Sequence, residues 1–215
     1  MIRSTTNTIT KTNRAATGGR GAVAALLTLV AALIAIAIGA GSAQAASSFG
    51  SDLNSNVQPS NAGTAHKCDA NPGGKCTWVM GEAYGTPGGE KSPKKGTLKK
   101  LKLIAGEAGA FKLQVVKTTF DGHSKLAYNG PKISYDGQDQ QNWDDDVYKV
   151  EKFKVQVPIK KGQRLAIKTK ETSTLRCSSG GPNTLLYSPP LKKSDGYRTY
   201  EDTDGCWMLL EGKVK

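Results

Sequence analysis

Between Phe153 and Lys170 the chain alternates. Phe153, Val155 and Val157 are interleaved with Lys152, Lys154 and Gln156. After Pro158-Ile159-Lys160-Lys161-Gly162, Leu165, Ile167 and Thr169 are set against Ala166, Lys168 and Lys170. Successive side chains of a strand point to opposite faces, so a period of two predicts half-buried antiparallel strands. Two such runs about a turn containing Pro and Gly predict a hairpin with one apolar face and one lysine face. The pattern recurs upstream. Leu101 and Leu103 oppose Lys100 and Lys102 in a strand from Thr97 to Ala105, and Phe111, Leu113 and Val115 share a face between Ala110 and Thr118. Thr77-Trp78-Val79-Met80 predicts another strand, and a last one runs from Cys206 to Val214. Asp121-Gly122 and Asn129-Gly130-Pro131 are turn signals around weaker strands at Leu126–Tyr128 and Lys132–Tyr135. In the irregular region from Ser178 to Gly196, Leu185, Leu186, Tyr187 and Leu191 are expected to cap an open end of the core.

Beyond residue 45 no segment has helical periodicity with caps. Many short strands between Gly/Pro turns predict an all-β fold: a two-sheet antiparallel β-sandwich, jelly-roll-like, of about eight or nine strands.

The first residues follow a different pattern. Lys11, Arg14 and Arg20 precede an uncharged apolar run from Ala22 to Ile38, and Ala43-Gln44-Ala45 is an A-x-A cleavage signal. Residues 1–45 are therefore expected to be a secretory signal peptide. The run is at the short end of what spans a bilayer, and no second one follows, so the cleaved protein is expected to be secreted without a membrane span. Residues 46–66, rich in Ser, Asn and Gly, are expected to form a flexible arm. Residues 67–215 form a single disulfide-braced domain. Of 215 residues, cleavage leaves 170, enough for one domain with a real core. The leader holds Arg3, Lys11, Arg14 and Arg20 and no acid, so the net charge falls from +12 to +8. A chain that basic favours anionic polymers or surfaces as partners.

The four cysteines, Cys68, Cys76, Cys177 and Cys206, all lie beyond the cleavage site. An even number in an exported chain predicts two disulfides. Of three pairings the economical one is Cys68–Cys76 with Cys177–Cys206. The spacing lacks the C-x₂₋₄-C pairs of a zinc site.

Three tracts stand out as a set: Gly96 to Leu103, Phe111 to Val116, and Val157-Pro158-Ile159-Lys160-Lys161-Gly162-Gln163-Arg164-Leu165-Ala166-Ile167. Together they resemble a loose group of exported β-sandwich proteins from high-GC Gram-positive bacteria. The resemblance covers about Gly96 to Lys170, with an extension through Arg176 to Leu185. It implies the fold. The group carries no established activity, so no functional residue is transferred.

The candidate chemistry is that of binding. His66 and His123 are the only histidines, both in polar turn-rich stretches, and there is no G-x-S-x-G elbow. No catalytic residue is assigned; a secreted glycoside hydrolase would require two facing carboxylates. Asp136, Asp139, Asp144, Asp145 and Asp146 offer oxygen ligands for a structural calcium but no recognisable spacing, so no metal or other cofactor is expected. Asp202, Asp204, Gly205 and Glu211 match four places of an EF-hand loop, with Tyr200 a poor first ligand and strand residues inside it. The lysines are the more distinctive set. Lys100, Lys102, Lys112, Lys152, Lys154, Lys168 and Lys170 all point away from the core, as one cationic surface or divided between two outer faces. Anionic polysaccharide or teichoic acid is the expected partner; no specific nucleic-acid motif is present. Exposed lysines also serve solubility and discourage edge-to-edge pairing. Among aromatics that can stack on sugars, Trp143 sits in an acidic, Gln-rich loop, with Tyr128, Tyr135 and Tyr148 as further candidates. Trp78 and Trp207 are expected in the core. A non-enzymatic binding module is the favoured reading, with a self-associating surface or matrix protein as the alternative.

Overall fold

A computed structural model describes residues 46–53, 68, 74–86, 89–137, 149–170, 174–177 and 182–215. The expected signal peptide, most of the expected arm, and Trp143 with Asp139, Asp144, Asp145 and Asp146 lie outside the described residues. Within them the chain forms twelve strands and no α-helix: β1 (Ser47–Gly50), β2 (Cys76–Met80), β3 (Gly96–Leu103), β4 (Gly109–Thr118), β5 (Ser124–Tyr135), β6 (Glu151–Ile159), β7 (Arg164–Thr169), β8 (Leu175–Cys177), β9 (Thr184–Tyr187), β10 (Asp202–Asp204), β11 (Cys206–Met208) and β12 (Leu210–Val214). They build a four-stranded sheet in the order β1-β12-β3-β6 and a six-stranded sheet in the order β10-β9-β2-β7-β4-β5, with β8 and β11 as a separate pair. All ladders are antiparallel. The fold is an all-β sandwich, with twelve strands among the described residues where about eight or nine are expected.

The core lies between the sheets. Leu98, Leu101 and Leu103 of β3 and Val155 and Val157 of β6 meet Trp78, Met80, Leu113, Val115, Leu165 and Ile167 from the other sheet. Phe153 is only partly buried at its margin.

The expected hairpin between β6 and β7 does not form. β6 pairs with β3 in one sheet, and β7 pairs with β2 and β4 in the other. Residues 160–163 are thus an arch between layers. The Lys160 N–H donates to Gln163 Oε1 at 2.7 Å. The rest of the turn docks on a neighbouring segment: the Gly162 N–H donates to the Ser92 carbonyl and the Ser92 N–H to the Gln163 carbonyl, each at 2.8 Å. Gly162, at φ 80, supplies the left-handed residue this turn requires. Arg164 secures the far side of the arch. Its guanidinium donates to the carbonyls of Met80 at 3.0 Å and Gly81 at 2.7 Å and meets Glu90 at 3.3 Å. Burial lowers the Arg164 pKa, and the Glu90 carboxylate opposes that shift.

Three other local readings are corrected. Ser47–Gly50, expected in the flexible arm, is paired with β12, and Phe49 and Leu53 are buried. Asn129-Gly130-Pro131 is no turn between two strands; it lies within β5, where the register against β4 shifts. A side chain at Gly130 would press on the Leu113 carbonyl and on Val157, so glycine lets the β5 edge close over the core. Leu185, Leu186, Tyr187 and Leu191 do not cap one open end. Leu186 joins the inter-sheet core, while Leu185, Tyr187 and Leu191 pack with Val79, Val116, Leu126 and Ala166 in a second cluster. Ala166 and Val79 alternate with core residues, which places this cluster on the outer side of the six-stranded sheet.

Cys68 and Cys76 are disulfide-bonded. Cys206 is also oxidised, and the β8–β11 register sets the backbone of Cys177 opposite it; the side chain of Cys177 lies outside the described residues. Trp78 is fully buried beside Cys68 and Cys76, whereas Trp207 is partly buried against Leu53, Ile104 and Leu209, with Tyr84 edge-on at 4.9 Å.

Candidate functional site

The arch determines where the lysines go. Lys152 and Lys154 of β6 share the outer face of the four-stranded sheet with Lys100 and Lys102 of β3. Lys112 of β4 and Lys168 of β7 lie on the outer face of the six-stranded sheet, where Lys170 lines the same shallow depression. The set expected from sequence is therefore divided between two opposite faces.

Each face carries a lysine row set by register. On the four-stranded sheet Lys213 is opposite Lys100, and Lys100 is opposite Lys154. On the six-stranded sheet Lys168 is opposite Lys112, and Lys112 is opposite Lys132. Directly opposed residues share a face, and their Cβ atoms sit about 4.5–5.5 Å apart, where like charges destabilise a sheet. Three lysines in line on adjacent strands hold positive charge together at a cost to the fold.

The surroundings of the rows differ. In the next row of the four-stranded face, Glu211 is opposite Lys102, which is opposite Lys152. Lys102 Nζ bonds Glu211 Oε2 at 2.9 Å, and Glu211 is only 5% exposed. On the other face Lys168 has Lys75, Lys112 and Lys192 as its charged neighbours. Its pKa is lowered first by burial and then by these three cations. Beyond Lys168 and Lys112 the six-stranded face is closed. The Leu191 N–H donates to Thr77 Oγ1 at 3.1 Å, Thr77 donates to Gln114 Oε1 at 2.9 Å, and Gln114 Nε2 donates to Asn129 Oδ1 at 3.2 Å.

The faces communicate over one edge of the sandwich. The depression on the four-stranded face and a second one at the β5/β6 edge share Lys100 and Lys154. The edge depression also holds Tyr128, Asn129, Gln156, Gly130 and Pro131, and the last two line the depression on the six-stranded face as well. Tyr128 is 40% exposed there. Tyr135 is buried against Phe111, with ring centroids 6.0 Å apart, and is not available for stacking. Trp143 and Tyr148 lie outside the described residues.

Sequence reasoning missed Lys213 and Lys132. The alternation of Leu210-Glu211-Gly212-Lys213-Val214 contains the signal for Lys213. That for Lys132 was obscured by Asn129-Gly130-Pro131, which reads as the end of a strand.

Asp136 is the one member of the acidic tract among the described residues. Asp136 Oδ2 lies 3.5 Å from Lys149 Nζ, and the Asp136 N–H donates to Glu151 at 3.1 Å. The EF-hand-like spacing does not enclose an ion-sized loop: Asp202 and Asp204 are in the β9–β10 ladder, and Glu211 is in β12 with Lys102. No cluster of three or more His, Cys, Asp or Glu side chains able to hold a metal occurs among the described residues. At the exposed β4–β5 turn His123 Nδ1 is 2.7 Å from Asp121 Oδ2. Asp121 is held below the ordinary carboxylate range chiefly by the Thr119 hydroxyl. The neighbouring Ser124 hydroxyl is bonded to that of Thr118 at 2.9 Å. Comparison with protein-family models, with curated proteins and with solved structures found no match for this chain.

Proposed function

We propose that the protein is a secreted, non-enzymatic binding module whose β-sandwich holds an anionic polymer outside the cell, an acidic polysaccharide or a teichoic acid. The observation that carries this reading is the row Lys213–Lys100–Lys154, with Lys102 and Lys152 beside it, on the outer face of the four-stranded sheet. Solubility is served by scattered charge. A row of opposed like charges opposes folding, and a repeating anion laid across the strands turns that repulsion into attraction. Edge strands β5 and β6 each carry a proline, Pro131 and Pro158, which discourages the strand-to-strand joining that a self-assembling matrix protein would use.

The test is a binding titration against polygalacturonate and against glycerol-phosphate teichoic acid at rising salt. Affinity is expected to fall steeply with salt, since bound lysines release counterions. Lys152→Glu combined with Lys154→Glu is expected to weaken binding at least about tenfold at low salt, equivalent to ~1.4 kcal/mol. Both substituted positions are exposed, so folding is expected to survive. Salt-independent binding, or full affinity in the double variant, would refute the reading.

A further inference from the structure

We propose that the two lysine rows are one binding track, and that a single acidic polysaccharide chain follows it from the four-stranded face over the β5/β6 edge onto the six-stranded face. This rests on the proposed function and extends it to a path and a ligand class. The faces lie back to back, and two rows there would ordinarily serve two ligands. Here they are joined. Lys154 ends one row on edge strand β6, and Lys132 ends the other on edge strand β5. Lys154 lines the edge depression with Tyr128, Gly130 and Pro131. Gly130 and Pro131 continue into the depression that holds Lys132, Lys112 and Lys168.

The edge also indicates the ligand. Between the cationic rows lie the half-exposed ring of Tyr128 and the amide side chains of Asn129 and Gln156. A flat ring with amide groups around it suits a neutral sugar unit, which offers an apolar face and hydroxyls. A polymer with anions at every position would leave such a segment unused. One with neutral sugars between its carboxylates matches both parts. Adjacent strands are about 4.8 Å apart and packed sheets about 10 Å, so the path across three strands, the edge and three more strands is about 30 Å. Lys168, at the far end, is crowded by Lys75, Lys112 and Lys192, and an anion arriving there relieves that repulsion.

Hyaluronan oligosaccharides of defined length, which alternate a uronate with a neutral sugar, test the track directly. A tetrasaccharide is too short to cover both rows, whereas a dodecasaccharide covers the whole track. The dodecasaccharide is expected to bind about 100-fold more tightly, because the second face is engaged by an already tethered chain. Native mass spectrometry is expected to show one chain per protein molecule. Lys112→Glu combined with Lys132→Glu, at exposed positions, is expected to erase that gain while leaving tetrasaccharide binding to the four-stranded face in place. Tyr128→Ala is expected to weaken the dodecasaccharide about tenfold and to leave long-chain polyphosphate unaffected.

Several outcomes would overturn the track. One is equal affinity for the two lengths. Another is that the long chain gathers two or more protein molecules, which would mean two independent faces. A third is that either variant retains wild-type dodecasaccharide affinity. In all of these the oligosaccharides still bind, so the proposed function survives. Absence of hyaluronan binding at either length removes the track alone where polygalacturonate or teichoic acid still binds, and removes both readings where neither does.

Discussion

The two outer faces present the same three-lysine row in different settings. On the four-stranded face a nearly buried carboxylate, Glu211, is built into the neighbouring row and bonded to Lys102. On the six-stranded face Lys168 has three lysines as its electrostatic neighbours, and the rest of the sheet is covered by Leu191 and the apolar cluster beneath it. The first face relieves part of its repulsion internally. Beside Lys168 on the second face, the charged groups that act on it are all lysines. Alternation alone makes a cationic face, and the residues beside it decide how far its charge is offset within the fold.

Three experiments sharpen or break that contrast. The largest effect is expected from removing the Cys68–Cys76 bridge by serine substitution at both positions. The bridge lies at the lysine end of the six-stranded sheet, where Cys76 is opposite Thr169. The chain-entropy model gives about 2.6 kcal/mol for its short loop, to be read as a lower denaturant midpoint. Binding through Lys112 and Lys168 should suffer more than binding through Lys100 and Lys154. Equal losses would mean that the bridge supports the whole sandwich alike.

A smaller effect is expected from Glu211→Gln. The substitution weakens a charge-assisted bond to Lys102, at a cost of roughly 1–2 kcal/mol in chemical denaturation. It also removes the acid from the four-stranded face, so polyanion affinity should rise as stability falls. A fall in both would show that Glu211 positions the lysines more than it neutralises them.

The smallest and oppositely signed effect is expected from Lys168→Gln. Relief of like-charge opposition should stabilise the unliganded protein by roughly 0.2–1 kcal/mol, seen as a higher Tm. The lysine's folded pKa lies below its ordinary 10.5. The penalty is therefore present at neutral pH and fades as pH rises through the lowered value, where the unfolded chain still holds the proton. Wild-type stability should rise over that alkaline interval, and the variant should lose this component of the rise.

The sequence carried the faces more clearly than the partners. Val155, Val157, Leu165 and Ile167 are in the core as their alternation demands, and Lys152 and Lys154 are outside. Alternation fixes which way a side chain points relative to its own sheet. It is silent on which sheet that is, because a turn with Pro and Gly suits a hairpin and an arch equally. The choice at residues 160–163 was made by backbone bonds to Ser92, some seventy positions upstream, which no local pattern contains. The strand at Ser47–Gly50 escaped detection for a similar reason: its four residues acquire order from β12 at the other end of the chain. Lys213 was legible from its own strand. Its place in a row with Lys100 and Lys154 was not, since that depends on register across three strands.

The arch at residues 160–163 also has a kinetic consequence. A hairpin there would close within microseconds, two strands supporting each other as soon as they turned. β6 and β7 share no ladder, so neither gains a hydrogen-bonded partner from its nearest neighbour in the chain. Both must await strands from distant positions. Only β4 and β5 are joined by a short turn and paired with each other among the described consecutive strands. That hairpin is the natural starting point for folding. The remainder is assembled through long loops, at the slow end of the range for small domains, milliseconds to seconds.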